Sequence, residues 1–379
     1  MPKTLGYLPL LSLLLALMGC SPPKADTRTD PVVRSAEPVQ TITPPAPVAV
    51  PQRALPTQAP AAQGYMARAD VQAYAREVAQ AKGLTPEAVG ALLVEARRLP
   101  VAIRFMTPAT PGQPVQPRDW ARYRSNFVDP IRINGGKAFM AKHAATLELA
   151  RQRFGVPANI ITAIIGVETL YGQNMGNYRV LDALVTLSFD YPDAKRPDRI
   201  EMFQGQLADF IELHYQGKVD ANRALGSFAG AMGIPQFMPT SLKRWAVASD
   251  PASGRIDLEY NVDDAILSVA NFLVVHGWVA GLPVFAPVVL PAQPADLVDG
   301  GLTPTLSWDQ LQQAGARLLP GASLGSWAEY KLGVINLALP NLSTVEYRTA
   351  TPNFFALTQY NRSYFYAAAV ADLAQALID

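Results

Sequence analysis

The chain of 379 residues contains one cysteine, Cys20, and three histidines, His143, His214 and His276. A single thiol cannot form an intramolecular disulfide, and a zinc site built on several thiolates is excluded with it. The histidines are too far apart in sequence for a metal helix of the His-x-x-x-His kind. An excess of one charge is also missing, since 32 Lys and Arg stand against 31 Asp and Glu for a net charge of +1. Such a chain lacks the basic field of a nucleic-acid binder, so no nucleic-acid partner is expected and a neutral one suits it better. No internal repeat of fixed period is evident. What the chain does have is apolar residue, 49% against 17% charged, which is enough to bury a sizeable core.

Lys3 precedes an apolar run from Leu8 to Met18 that ends in Gly19-Cys20. The run is too short for a permanent bilayer helix, and its charge, apolar centre and small-residue exit are those of a secretory signal. Cys20 directly after Leu17-Met18-Gly19 resembles a bacterial lipobox. That likeness implies acylation of Cys20, the alternative being an incidental cysteine in an ordinary signal peptide. Each buried CH₂ contributes about 0.8 kcal/mol, so more than one acyl chain makes a durable anchor. Ser21 is compatible with sorting to the outer membrane, which would make the protein periplasmic and lipid-anchored there.

Residues 1–19 are therefore read as the signal and 20–66 as a tether rich in Pro and Ala, as in Thr43-Pro44-Pro45-Ala46-Pro47. Repeated proline fixes φ and removes donors, which favours an extended chain of up to about 3.1 Å per residue. Helical patterning begins near Ala67 and returns after Thr85-Pro86-Glu87, where Thr85 can cap. Further helices are expected over Trp120–Phe127, Gly136–Phe154, Pro157–Tyr171, Pro197–Gln216, Pro239–Ala248 and Val262–His276. Between Pro283 and Ser343, Val284–Leu290 and Gly333–Leu339 are β-branched runs bounded by Pro and Gly, which is strand chemistry. The expected fold is mainly α (α+β): helices over 67–282, a small β module over 283–345, and a C-terminal segment, 346–379, whose helix Tyr364–Ile378 returns to the core.

Three segments carry candidate chemistry. In the first, Ile161, Ile164, Ile165 and Glu168 fall at i, i+3, i+4 and i+7, which sets a carboxylate on an apolar stripe. Desolvation raises a carboxyl pKa and can keep it protonated as a general acid, although a buried Glu paired with an Arg fits the same pattern. Gly172, just beyond, is a place where a substrate can approach the helix end. In the second, Gly226 to Thr240, small residues mix with Ser227, Gln236 and Met232, which suits either a saccharide cleft or a tight helix crossing. In the third, Asn353 to Tyr366, aromatic and amide groups crowd together, for stacking on sugars or for core packing with a capping Asn.

Taken together, these segments resemble the membrane-bound lytic murein transglycosylase B family of bacterial cell-wall lyases. Ile164-Ile165-Gly166-Val167-Glu168-Thr169 is similar to its catalytic helix, Gly226 to Thr240 to its Gly-Ser-aromatic-Ala-Gly-Ala-Met-Gly stretch with Gln-Phe-Met-Pro, and Tyr360-Asn361-Arg362-Ser363 to its Tyr-Asn-Arg-Ser. The resemblance implies a lysozyme-like helical core with an accessory helical region, and cleavage of the β-1,4 bond between N-acetylmuramic acid and N-acetylglucosamine with 1,6-anhydro ends. It implies Glu168 as acid and then base, with Tyr123, Ser227, Met232, Gln236, Tyr360, Asn361 and Tyr366 binding glycan strands of peptidoglycan. Phe272 stands where relatives often have a tyrosine. No cofactor is implied, and cell-wall synthesis or division proteins are further candidate partners. A lysozyme-like hydrolase and a non-catalytic wall-binding lipoprotein are the competing functions.

Ordinary glycosidases use two carboxylates. No second one shares the helix face of Glu168, which leaves Asp182 and Asp190 as candidates. Some family members carry a calcium loop of EF-hand type, here Ser249 to Asn261. With Gly254 at the sixth position, positions 1, 3, 5 and 12 are Ser249, Pro251, Ser253 and Tyr260, without a carboxylate. No metal site is expected, and calorimetric titration should show no micromolar calcium binding.

Overall fold

A computed structural model describes residues 64–108, 118–253 and 255–379. Cys20, the apolar run before it and nearly all of the expected tether lie outside the described residues. Helices α1 (Ala69–Lys82), α2 (Pro86–Leu93) and α3 (Pro100–Met106) open the fold. Thr85 caps α2 by accepting from the Ala88 N–H at 3.2 Å, with Pro86 at the first helical position. Packing already begins before Ala67, because Tyr65 is buried and its hydroxyl donates to Asp190 at 2.9 Å.

Next come α4 (Trp120–Ser125), α5 (Pro130–Lys142), α6 (Ala144–Phe154) and α7 (Ala158–Thr169). The single helix expected over Gly136–Phe154 is two. It starts early because Asp129 accepts from the N–H groups of Ile131 and Arg132 at 2.8 and 3.1 Å, and it breaks at His143, whose backbone is not helical. Following these are β1 (Tyr178–Arg179), α8 (Val180–Phe189), α9 (Pro197–Tyr215), β2 (Leu225–Gly226), α10 (Pro239–Trp245) and α11 (Val262–Val275). The short strands β1 and β2 pair antiparallel, Tyr178 with Gly226.

Past α11 the chain forms β3 (Val288–Val289), α12 (Trp308–Gln313), β4 (Arg317–Leu318), β5 (Gly333–Leu339) and β6 (Thr344–Ala350), then α13 (Pro352–Tyr360) and α14 (Tyr364–Ala376). Of the expected strand Val284–Leu290 only β3 forms, against β4, while Ala286 bonds to Thr349 instead. Strand β5 matches expectation, but its partner β6 extends beyond Ser343 to Ala350. Both faces of β5 are covered. Val334 belongs to a small core around Trp308 and Trp327, whose rings meet edge to face at 5.2 Å, whereas Ile335 and Leu337 join the main core.

Helix α7 is the centre of the main core, with α5, α6, α11 and α14 packed around it. Every residue from Ile160 to Val167 is buried. A helix apolar all round is a buried helix, so the expected isoleucine stripe is one part of a fully enclosed element. The segment of α1 to α3 is tied to α8 by the ion pairs of Asp190 and by a backbone bond to Asp182. Asp182 accepts from Arg179 at 2.6 Å and from the Arg97 N–H at 2.8 Å, while Asp190 binds Arg68 at 2.6 Å and Arg98 at 3.0 Å. Asp182→Ala leaves Arg179, which also donates to the Glu95 carbonyl, without a counter-charge in a largely buried site and is expected to lower stability by about 3 kcal/mol. A fall in the denaturant midpoint at unchanged slope would show it.

Candidate active site

Helix α7 ends abruptly after Glu168-Thr169. Leu170 and Tyr171 both take left-handed backbone angles, with φ of 50° and 60°. Such residues are strained in that region, and here the fold holds them by anchoring their neighbours. The Tyr171 hydroxyl donates to the Arg132 carbonyl at 2.6 Å, and its ring lies over Gly135, Gly136 and Gly166, where added Cβ atoms would come within 2.9 Å of it. Gly172, at φ 86°, continues the turn and faces Ile234, so its lack of side chain serves the chain reversal rather than access for a substrate. Thr169, which the sequence reading passed over, locks the helix end: its hydroxyl accepts from the Gly172 N–H at 3.0 Å and donates to the Ile234 carbonyl at 2.9 Å. Its only sequence signal is its place beside Glu168.

Glu168 is thus presented at the mouth of a buried helix. Its carboxylate accepts a hydrogen bond from the Tyr366 hydroxyl at 2.6 Å. Burial pushes its pKa up to about 8, and the Tyr366 bond opposes that rise. Among the described residues no arginine, lysine or second carboxylate contributes to the shift, so the alternative of a Glu paired with an Arg does not hold. Asp182 and Asp190 are each tied to arginines. Burial, and after it the charge of Glu168, raises the hydroxyl pKa of Tyr123, Tyr360 and Tyr366, which keeps all three protonated donors around the carboxyl.

Helices α4, α13 and α14 deliver these tyrosines. Tyr366 stands in the first turn of α14, which Ser363 caps, and its ring stacks on Tyr360 at 6.3 Å and 13°. The Tyr360 hydroxyl donates to the Pro235 carbonyl at 2.7 Å, and Tyr123 packs on Phe127 and Phe365. Asn361 is buried where the chain passes from α13 to α14, and its carbonyl accepts from the Ser363 N–H at 2.7 Å. Phe272 meets Tyr360 edge to face at 4.8 Å, so this position adds an aromatic wall without a hydroxyl.

The Gly226 to Thr240 segment forms the loop facing the end of α7. Ser227 Oγ accepts from the N–H groups of Ala229 and Ala231 at 3.3 and 3.0 Å, closing a tight turn in which Gly230 has a φ of 89°. Gln236 has a φ of 51°, and its amide donates to the carbonyls of Gly233 and Met175 at 2.9 and 3.2 Å. Met232 is buried, exchanges backbone bonds with Phe237, and borders a cavity of about 610 Å³ together with Leu225 and Leu258. The structure therefore gathers Tyr123, Tyr360 and Tyr366 at Glu168, whereas Ser227, Gln236 and Met232 shape the loop.

Residues 66–375 match the family described as transglycosylase SLT domain. The chain belongs to this lytic transglycosylase family. It is 39% identical over 291 residues to membrane-bound lytic murein transglycosylase B of Escherichia coli (strain K12), an alignment covering 76% of each chain. Among solved structures it is similar to the catenated lytic transglycosylase SltB1 of Pseudomonas aeruginosa, with a TM-score of 0.73 and 36% identity over 83% of this chain and 98% of that one. It also resembles SltB3 of the same organism in complex with NAG-NAM-pentapeptide, with a TM-score of 0.68 and 30% identity over 82% of this chain and 79% of that one.

In this transglycosylase Asp257 and Asp264, on either side of the start of α11, brace the backbone. Asp264 accepts from the N–H groups of Ser249 and Asp257 at 2.7 and 2.8 Å, and Asp257 from those of Glu259 and Tyr260 at 2.9 and 2.8 Å. Glu168 also sets a pH dependence of stability. Its folded pKa of about 8 lies above the ordinary 4.5, so its contribution is fully present below the ordinary value and is lost as pH rises toward 8. Glu168→Gln is expected to melt about 5 °C above the parent at pH 8 and level with it at pH 4, measured by calorimetry.

Proposed function

We propose that this lytic transglycosylase cleaves the β-1,4 bond between N-acetylmuramic acid and N-acetylglucosamine with Glu168 as its single acid and base. The observation that carries the reading is the desolvated Glu168 carboxyl with a tyrosine donor on one oxygen and no charged partner. Tyr366 donates to Oε1, which leaves the other oxygen to carry the proton toward the glycosidic oxygen. As the bond breaks, the muramoyl 2-acetamido carbonyl stabilises the positive charge at C1, and the N-acetylglucosamine leaves with the proton. The ionised Glu168 then takes the proton of the C6 hydroxyl, whose oxygen closes on C1 to give the 1,6-anhydro end. Water is not consumed, and Glu168 finishes protonated. A carboxyl raised to about 8 starts in the acid form at neutral pH and is still a competent base.

A hydrolase would need a second carboxylate about 5–5.5 Å or 6.5–9.5 Å from the first. The two candidates left by the sequence are both engaged by arginines, Asp182 by Arg179 and Asp190 by Arg68 and Arg98, which favours the lyase. Tyr123, Tyr360 and Tyr366 supply aromatic faces and hydroxyls for a neutral glycan, with Ser227, Met232, Gln236 and Asn361 setting the loop and chain bend beside them. Among the described residues no helix is long and apolar enough to cross a membrane. An acylated Cys20 followed by the Pro/Ala-rich tether would place the enzyme on the periplasmic face of the outer membrane, where its substrate lies. In zymograms on cell walls Glu168→Gln should lose at least about 10³-fold in clearing. Mass spectrometry of the parent's soluble products should show ends lighter by one water than reducing ends, and reducing ends would instead establish the hydrolase.

A further inference from the structure

The cavity of about 610 Å³ that Met232 borders stands apart from the Glu168 cleft. It opens between the end of α9, the segment 217–225 and the segment 255–260, and Glu168, Tyr123, Tyr360 and Tyr366 are all absent from its lining. Its volume lies in the range of about 300–1,000 Å³ usual for sites that hold small organic ligands. Leu225, Leu242, Ile256 and Leu258 join Met232 in giving it apolar walls. Its charged lining residues balance, Lys218, Arg223 and Arg255 against Asp220, Asp257 and Glu259. Such a rim offers no net field to a nucleic acid or an anionic lipid surface, and it suits a neutral ligand.

The polar groups suit one rich in hydroxyls and amides. Asp257 Oδ1 accepts from the N–H groups of Glu259 and Tyr260 at 2.9 and 2.8 Å, and Asp220 Oδ1 from the Asn222 N–H at 3.1 Å. Each carboxylate is thereby held in one orientation, with Oδ2 left to accept from a ligand. Tyr260, 42% exposed at the rim, adds an aromatic face for the apolar side of a sugar ring.

The cavity wall is also bonded to the catalytic helix. The Ile234 N–H donates to the Leu258 carbonyl at 2.7 Å, and the Ile234 carbonyl accepts at 2.9 Å from Thr169, the residue after Glu168. Gly233, at φ 69°, lets the two backbones meet, since a Cβ there would lie 2.4 Å from the Leu258 carbonyl oxygen. Two hydrogen bonds thus fix the cavity in register with the end of α7.

We propose that this cavity is a second saccharide site, which holds N-acetylated sugars of a neighbouring uncleaved strand while the Glu168 cleft holds the strand being cut. The proposal rests on peptidoglycan as the substrate of the family and not on Glu168 as single acid and base. It makes the enzyme grip the wall at two points set at a fixed distance by the Leu258–Ile234–Thr169 bonds.

The probe is the β-1,4-linked tetramer of N-acetylglucosamine, titrated calorimetrically into the Glu168→Gln protein. A binding event is expected that Tyr260→Ala and Asp220→Ala, on two different segments, each weaken by about tenfold. Binding that neither substitution changes, or no binding at millimolar sugar, overturns the proposal. In the active enzyme, Tyr260→Ala should lower kcat/KM on intact sacculi by about tenfold and leave it within about twofold of the parent on soluble strands of two disaccharides, too short to bridge both sites. An equal fall on both substrates places the effect on the Glu168 cleft and overturns the second site. Reducing ends among the parent's products would end the reading of Glu168, while the titration still decides the cavity.

Discussion

The removal of the Glu168 carboxyl from water is the interaction on which the site depends. A helix enclosed on every side delivers it there, and the left-handed pair Leu170-Tyr171 stops that helix one residue after the carboxylate's neighbour. The burial of Tyr171 over three glycines and the bonds of Thr169 hold this ending in place.

Around the carboxyl, the end of α7, the facing loop and α13 are braced by hydrogen bonds to backbone, while α4 and α14 are tied by the Arg124–Asp372 ion pair at 2.6 Å. Thr169 bonds to Ile234, Tyr360 to Pro235 and Gln236 to Met175, so the helix end, the loop and α13 meet through carbonyls that do not titrate. Other ion pairs fasten α8 to the N-terminal segment through Asp190 with Arg68 and Arg98, and α9 to α10 through Lys243 with Asp209 and Glu212. Among the described residues no charged group contributes to the shift of Glu168.

Much of the fold was legible in the chain. Thr85-Pro86 marked a helix start, the β-branched run at Gly333–Leu339 marked β5, and the spacing of the isoleucines with Glu168 marked a desolvated carboxyl. The errors have physical causes. The run Gly136–Phe154 is helical throughout in propensity, yet α5 must meet α7 while α6 meets both α7 and α11, and the chain bends at His143 to do so. Val284–Ala286 has strand composition but is taken up by Thr349 and Ala350 of β6, a pairing set by a residue pair more than sixty positions apart. Helices α3, α8 and α13 were missed because short or uniformly apolar segments show little helical period.

Composition and local pattern were sufficient to determine a helical protein with a small β module, no disulfide and a carboxylate on an apolar helix. These are properties of residues and their near neighbours, and side-chain chemistry and period suffice for them. The raised pKa of Glu168, its partner Tyr366 nearly two hundred residues away, and the engagement of Asp182 and Asp190 by arginines were decided by tertiary structure alone. A pKa depends on what excludes water and what donates a bond within a few ångströms, and only the folded chain sets those distances.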